Sequence, residues 1–189
     1  TLAAFYAAAW NEAGRPQLPP ARAAVLISEA PLGGAPYAQR IAALLRARMN
    51  PFDALAHLAT ASPKRQWRFT VPFRAAGDES DPESFTTPTA GLREAAVQAV
   101  NTLRQFPAAD RRVVIVGTGK NLAPALAEAA KVLSEEGATT LVGIVGAGDD
   151  ELRAAAAATS AQLRIVRAAT PEELPPLLAA AWTAALDRP

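Results

Sequence analysis

The sequence predicts an α/β fold: a Rossmann-like three-layer sandwich with helices on both faces of a mostly parallel sheet of about six strands, one of them an antiparallel edge strand. Three observations carry that expectation. The stretch from Arg111 to Ala147 reads as an apolar run (Val113 to Val116), a glycine-rich turn, a helix ending at Gly137, and a second apolar run (Leu141 to Val145). Continuous apolar runs suit strands covered on both faces, and strand, helix and strand of this length close into a right-handed parallel unit. A similar run, Ala23 to Ile27, ends in the loop Ser28 to Gly34. Gln66 to Arg74 instead alternates, with Trp67, Phe69, Val71 and Phe73 on one side and Arg68, Thr70 and Arg74 on the other. That period, with Pro72, fits an antiparallel strand at an edge of the sheet.

The elements follow in order. Leu2, Phe5, Tyr6 and Trp10 have the spacing of one helix face, and the prolines of Arg15 to Pro20 end that helix. Residues 1–20 are therefore expected to be an amphipathic helix and linker, and 21–189 the folded domain. After the first strand, Arg22 to Glu29, a helix from Pro36 to Met49 places Ile41, Leu44, Leu45 and Met49 inward. Phe52 to Thr60 is a second strand, joined to the alternating third by a connection too short for a helical crossover. Gly77 to Pro88 is acidic and proline-punctuated, a surface loop, and Thr89 or a neighbour caps the helix Ala90 to Gln105. In the central unit Asn121 is the expected cap and Pro124 falls in the first turn. Asp149 and Asp150 open a short helix reaching Ala158, Gln162 to Ala168 is the last strand, and Thr170-Pro171-Glu172-Glu173 starts the last helix, which Pro175 and Pro176 tighten or delay.

Composition excludes several functions. Among 189 residues, 19 Lys and Arg balance 18 Asp and Glu, so no global field draws the protein to nucleic acid or to an anionic membrane. Cysteine is absent, which removes disulfides, thiolate metal sites and a cysteine nucleophile. One histidine, His57, cannot build a metal cluster and lies among alanine and leucine, where a packed or hydrogen-bonded core residue is expected. No apolar run is long enough to span a bilayer. The chain starts at Thr1, so a processed or excised region is expected, with an upstream anchor and an extracytoplasmic or membrane-associated setting among its possible contexts.

Site-like words are weak. Gly117-Thr118-Gly119-Lys120-Asn121 resembles a phosphate loop, yet Val114 stands where the pattern needs its first glycine and Asn121 replaces Ser or Thr. Leu122 stands where a dinucleotide fingerprint needs its third glycine. Glycines that allow a strand-to-helix turn explain the segment, while its backbone amides and Lys120 offer an anion or phosphosugar site as an alternative. Ser28 as a nucleophile lacks the Gly-x-Ser-x-Gly context and would need His57 as base. Lys64 to Phe69 interleaves cations and aromatics, which an amphipathic edge strand explains as well as base stacking does.

The order of elements from Arg22 onward resembles a von Willebrand factor type A (VWA) domain. The local words that carry the resemblance are Phe85-Thr86-Thr87-Pro88-Thr89 leading into a helix, Gly146-Ala147-Gly148 before the acidic Asp149-Asp150-Glu151, and Leu163 to Val166 followed by Pro171 to Leu174. The resemblance implies a metal-ion-dependent adhesion site, from which this chain departs. Its leading carboxylate position falls at Ser28, the two serine positions at Ala30 and Leu32, and the later aspartate at Gly117, leaving Thr87 as the surviving ligand type. Magnesium depends on carboxylate charge. Glu29, one residue out of register, is the one substitute.

The expectation is therefore a non-catalytic protein–protein interaction or assembly module with no cofactor and a degenerate metal site. It would bind another protein, not nucleic acid, through Ser28, Glu29, Thr87, Thr89, Gly117, Thr118 and Lys120. The alternatives are a small-molecule or phosphosugar binder using the Gly117 to Asn121 turn, and a weak divalent-cation adhesion domain built on Glu29, Thr87 and Thr89.

Overall fold

The structure, a computed structural model, describes residues 8–9, 11–12, 22–28, 35–49, 53–61, 66–75, 89–105, 108, 110–157 and 162–184. Its centre is β1 (Arg22–Ser28) and β5 (Asp110–Thr118), paired in parallel from Arg22 opposite Asp110 to Ser28 opposite Val116. Ala23 to Ile27 and Val113 to Val116 have no exposed surface. A strand wrapped on both faces has no polar side to alternate with, and this is why these segments read as continuous apolar runs.

From β1 the chain passes through α1 (Ala35–Arg46) to β2 (Ala54–Ala61), parallel to β1 on one side. β3 (Gln66–Ala75) returns antiparallel to β2, and β4 (Thr89–Ala90) pairs antiparallel with Gln66 and Trp67. After α2 (Leu92–Gln105) the chain enters β5 on the other side of β1. α3 (Gly119–Glu135), β6 (Thr139–Val145), α4 (Asp149–Ala156), β7 (Leu163–Ala168) and α5 (Leu174–Ala184) complete it, with β6 and β7 in parallel. The strand order is β4-β3-β2-β1-β5-β6-β7. Five parallel strands, β2-β1-β5-β6-β7, form the body of the sheet.

Two apolar layers enclose the sheet. On one face Leu92, Ala96, Val100 and Leu103 of α2 and Leu122, Leu126 and Leu133 of α3 meet Val25, Ile27, Val113, Ile115 and Ile144. On the other Ile41 and Leu45 of α1 and Leu174, Leu178 and Trp182 of α5 meet Leu26, Leu55, Val114, Val116 and Leu141. The three-layer α/β expectation is met, with differences at the edge. Among the described residues the sheet has seven strands, and the two-residue β4, not the antiparallel β3, stands outermost along Gln66 and Trp67. The β2–β3 register shifts on both sides of His57, so Phe69 is opposite Leu58 and Val71 opposite His57. Such shifts mark a β-bulge, an extra residue on one of two paired strands.

Other boundaries moved for local reasons. Thr89 lies in β4, and Gly91, at φ 100°, accepts the first bond of α2 from the Ala95 N–H. α3 starts at Gly119 after Thr118, not at Asn121, which puts Pro124 in the second turn, where its missing N–H costs one helix bond. α5 starts at Leu174, with Pro175 and Pro176 in its first turn where prolines are tolerated, and Glu173 accepts the Ala169 N–H at 2.9 Å. The helix expected over Leu2 to Gly14 lies largely outside the described residues; Ala8, Ala9, Asn11 and Glu12 are helical and exposed.

Charges buried at the amino end of the sheet are paired. Asp53, fully buried, accepts the Arg22 N–H at 2.8 Å. Arg112, 4 % exposed, pairs with Asp110 at 2.6 Å, donates to the Trp182 carbonyl at 3.3 Å and stacks 4.7 Å from the Trp182 ring centroid. The guanidinium thus ties the start of β5 to the end of α5. Removing its carboxylate strands a buried cation. Asp110→Ala should cost about 2 kcal/mol, the scale of a hydrogen bond to a charged group, read as a lower urea midpoint at unchanged slope.

Candidate functional site

In an open parallel sheet, the strand order reverses where neighbouring strands send their connections to opposite faces, and a crevice opens at their carboxyl ends. Here that point lies between β1, which leads into α1, and β5, which leads into α3. Ser28 ends β1, and Gly117 and Thr118 end β5 one and two residues beyond its partner Val116. Three of the expected site residues therefore meet at one place. Lys120 joins them as an exposed side chain in the first turn of α3. Thr89 lies in β4, three strands from β1 across β3 and β2. Glu29 and Thr87 are outside the described residues.

The glycine turn is tighter than the sequence implies. β5 runs unbroken through Gly117 and Thr118, and α3 begins at the next residue, so no loop of free amides separates strand from helix. A Cβ on Gly119 would lie 2.5 Å from the Ala147 Cβ and 2.6 Å from its Cα. The glycine is thus accounted for by close packing of the first turn of α3 on the β6–α4 connection. That connection carries the acidic start of α4: Gly148 is the cap, with Asp149, Asp150 and Glu151 in the first turn. Gly119→Ala should destabilise the domain by about 1–3 kcal/mol, the cost of overpacking a fixed backbone contact, measured as a drop in thermal midpoint.

Ser28 has a partner that the sequence left as a remote option. Its Oγ is 2.7 Å from His57 Nε2, and both residues are buried, at 3 % and 5 % exposure. Register explains the meeting: His57 is level with Leu26 on the adjacent strand, so both side chains turn to the face covered by α1. Burial, and then the nearby Arg46 charge from α1, lower the His57 pKa to about 4. A general base works best with a pKa near the operating pH, and this imidazole resists the proton it would have to accept. The pair is a satisfied core hydrogen bond. Sequence reasoning could have found it only from the β1–β2 register, which brings together residues 29 positions apart.

The described residues contain no cluster of three or more His, Cys, Asp or Glu able to hold a metal ion. A groove of about 400 Å³ lies on the outer helix layer, lined by Arg93 of α2 and Glu128, Lys131, Val132 and Glu135 of α3. It is separate from the β1–β5 crevice, and its cations and carboxylates offset one another.

This architecture has known counterparts. The chain superposes on BatB, a conserved hypothetical protein from Bacteroides thetaiotaomicron, with TM-score 0.60 and 12% identity, over 88% of this chain and 99% of that one. The fold is that of a von Willebrand factor type A domain. A VWA protein from Catenulispora acidiphila matches with TM-score 0.61 and 15% identity over 86% of this chain and 42% of its own length. The VWA-like domain also matches the von Willebrand domain of the type V pili tip protein Mfa5 from Porphyromonas gingivalis, at TM-score 0.59 and 9% identity, over 92% and 98% of the two chains. At such identities the likeness is one of fold. No protein-family model and no curated protein matches the sequence.

Burial of His57, and then the Arg46 charge, should give the VWA-like domain a pH-dependent stability. With a folded pKa of about 4 against 6.5 for the free imidazole, the unfolded chain binds the additional proton between those values. Stability contributed by the neutral histidine is therefore full above pH 6.5 and declines as the pH falls toward 4, by about 3 kcal/mol. Urea melts at pH 7 and pH 4 should show this extra loss, and His57→Gln should remove it while the loss due to carboxylates remains.

Proposed function

We propose that this VWA-like domain is a non-catalytic protein-interaction or assembly module that works without a bound metal ion. It would meet its partner at the carboxyl edge of the sheet, through the exposed Lys120 and the half-buried Thr118 above the buried strand ends Ser28 and Gly117, with Glu29, Thr87 and Thr89 as the further expected contacts. The supporting observation is the fate of Ser28. It stands where the VWA resemblance expects the leading carboxylate, and its hydroxyl is hydrogen-bonded to the buried His57. Gly117, at the position of the later aspartate, offers no side chain. Recognition would then rest on shape, backbone groups and the Lys120 charge. A minor pilin, PilB of Streptococcus sanguinis, and the pilus tip protein Mfa5 are among the structures of this fold, which favours assembly as the setting.

The Ala147 contact accounts for Gly119 without a ligand, which favours the interaction reading over the small-molecule alternative built on the amides of that turn and Lys120. The test is calorimetric titration of the full chain with magnesium and manganese, with thermal melts in metal and in EDTA. The expected result is no saturable heat and the same melting temperature in both. A site filled to a hundred times its dissociation constant would add about 2.7 kcal/mol of stability, easily seen in a melt. Saturable heat that disappears in Thr87→Ala would overturn the metal-free reading and restore an ion-dependent site.

A further inference from the structure

The other end of the sheet carries a second, independent surface. β7 is the last strand in the order, and among the described residues nothing pairs with its outer side. The direction of its main-chain groups follows from two hydrogen bonds. Thr140 N–H donates to the Gln162 carbonyl at 2.7 Å and Gly146 N–H to the Ala168 carbonyl at 3.1 Å. Backbone groups alternate sides along a strand, so the even-numbered residues face β6 and the N–H and C=O of Leu163, Ile165 and Arg167 point outward. β7 contains no proline, and its pairing with β6 has no register shift. β3, near the opposite edge, has Pro72 and two register shifts, devices that blunt strand addition.

The side chains on β7 say what kind of strand would fit. Ile165 and Val166 are half-buried, each packed on one of the two apolar layers, while Arg164 and Arg167 are exposed. They lie three residues apart and therefore project from opposite faces of the sheet. Arg93, Arg104 and Arg153 all pair with carboxylates. Arg164 and Arg167 have no such partner among the described residues. Glu173 accepts the Ala169 N–H, and Asp150 pairs with Arg153. A second copy added at this edge would bring four unpaired arginines together, so like charge disfavours self-pairing.

We propose that the outer edge of β7 is a docking site for an extended acidic segment of a partner protein, added to the sheet as an eighth strand. Main-chain bonds to Leu163, Ile165 and Arg167 would hold it, and carboxylates on its two faces would neutralise Arg164 and Arg167. This surface is distinct from the crevice at the carboxyl ends of β1 and β5, so metal titration leaves it untested and its own test leaves the crevice untouched.

The probe is an acetylated, amidated heptapeptide, Thr-Glu-Val-Thr-Glu-Val-Thr, whose glutamates share the three-residue spacing of the arginines. Binding to the full chain is followed by fluorescence anisotropy and by amide hydrogen exchange. The expected result is saturable binding that weakens with salt, with new protection of the Ile165 and Arg167 amides. N-methylation of alternate peptide amides keeps the charge and should weaken binding at least tenfold. The Arg164→Glu, Arg167→Glu double variant, at exposed positions, should lose the acidic peptide and bind its lysine counterpart. Any one of four results would overturn the proposal: no binding at millimolar peptide, equal binding of the N-methylated form, Ile165 and Arg167 amides already protected in the free chain, or self-association that protects them.

Discussion

Burial of β1 and β5 on both faces is the constraint on which the rest of the structure depends. Neither strand has a solvent side, so every residue from Ala23 to Ile27 and from Val113 to Val116 must be apolar and helices must cover both faces. α1 and α5 cover one face, and α2 and α3 the other. Right-handed crossovers then leave little freedom in where each strand lies. The reversal of strand order between β1 and β5 follows from the same arrangement, and it places the crevice above the most deeply buried part of the sheet.

Several polar groups within this interior find partners. Asp53 accepts a backbone N–H, Arg112 is held by Asp110 and the Trp182 ring and carbonyl, and Ser28 and His57 satisfy each other. Leaving any of these unpaired would cost desolvation with no return. The Ser28–His57 pair matters for function because of where it lies. It occupies the end of β1 with a neutral, buried hydrogen bond.

The two sheet ends differ in the same physical terms. Near β3 the strand is interrupted by Pro72 and shifted register and partly covered by β4, whereas β7 is regular and directs alternate backbone groups outward. An open edge is a hazard that charge can control. Arginines on both faces of β7 oppose a like-charged copy and leave complementary acidic chains as suitable partners.

Much of the fold was legible in the residues because burial on two faces and helical periodicity leave direct marks in sequence. The central unit, the crossover helices and the acidic start of α4 were readable in this way. Element ends were less so, since α3, α2 and α5 start at Gly119, Leu92 and Leu174 through backbone geometry that weak capping signals at Asn121, Thr89 and Thr170 do not specify. Of the site, the convergence of Ser28, Gly117 and Thr118 could be anticipated from strand ends. The sequence by itself determined the layered α/β architecture. Only the tertiary structure decided that Ser28 bonds to His57, that Gly119 makes room for Ala147, and that Arg164 and Arg167 flank an edge left unpaired among the described residues. Those facts depend on register and close approach between segments far apart in the chain, and such distances are fixed by packing rather than by local pattern.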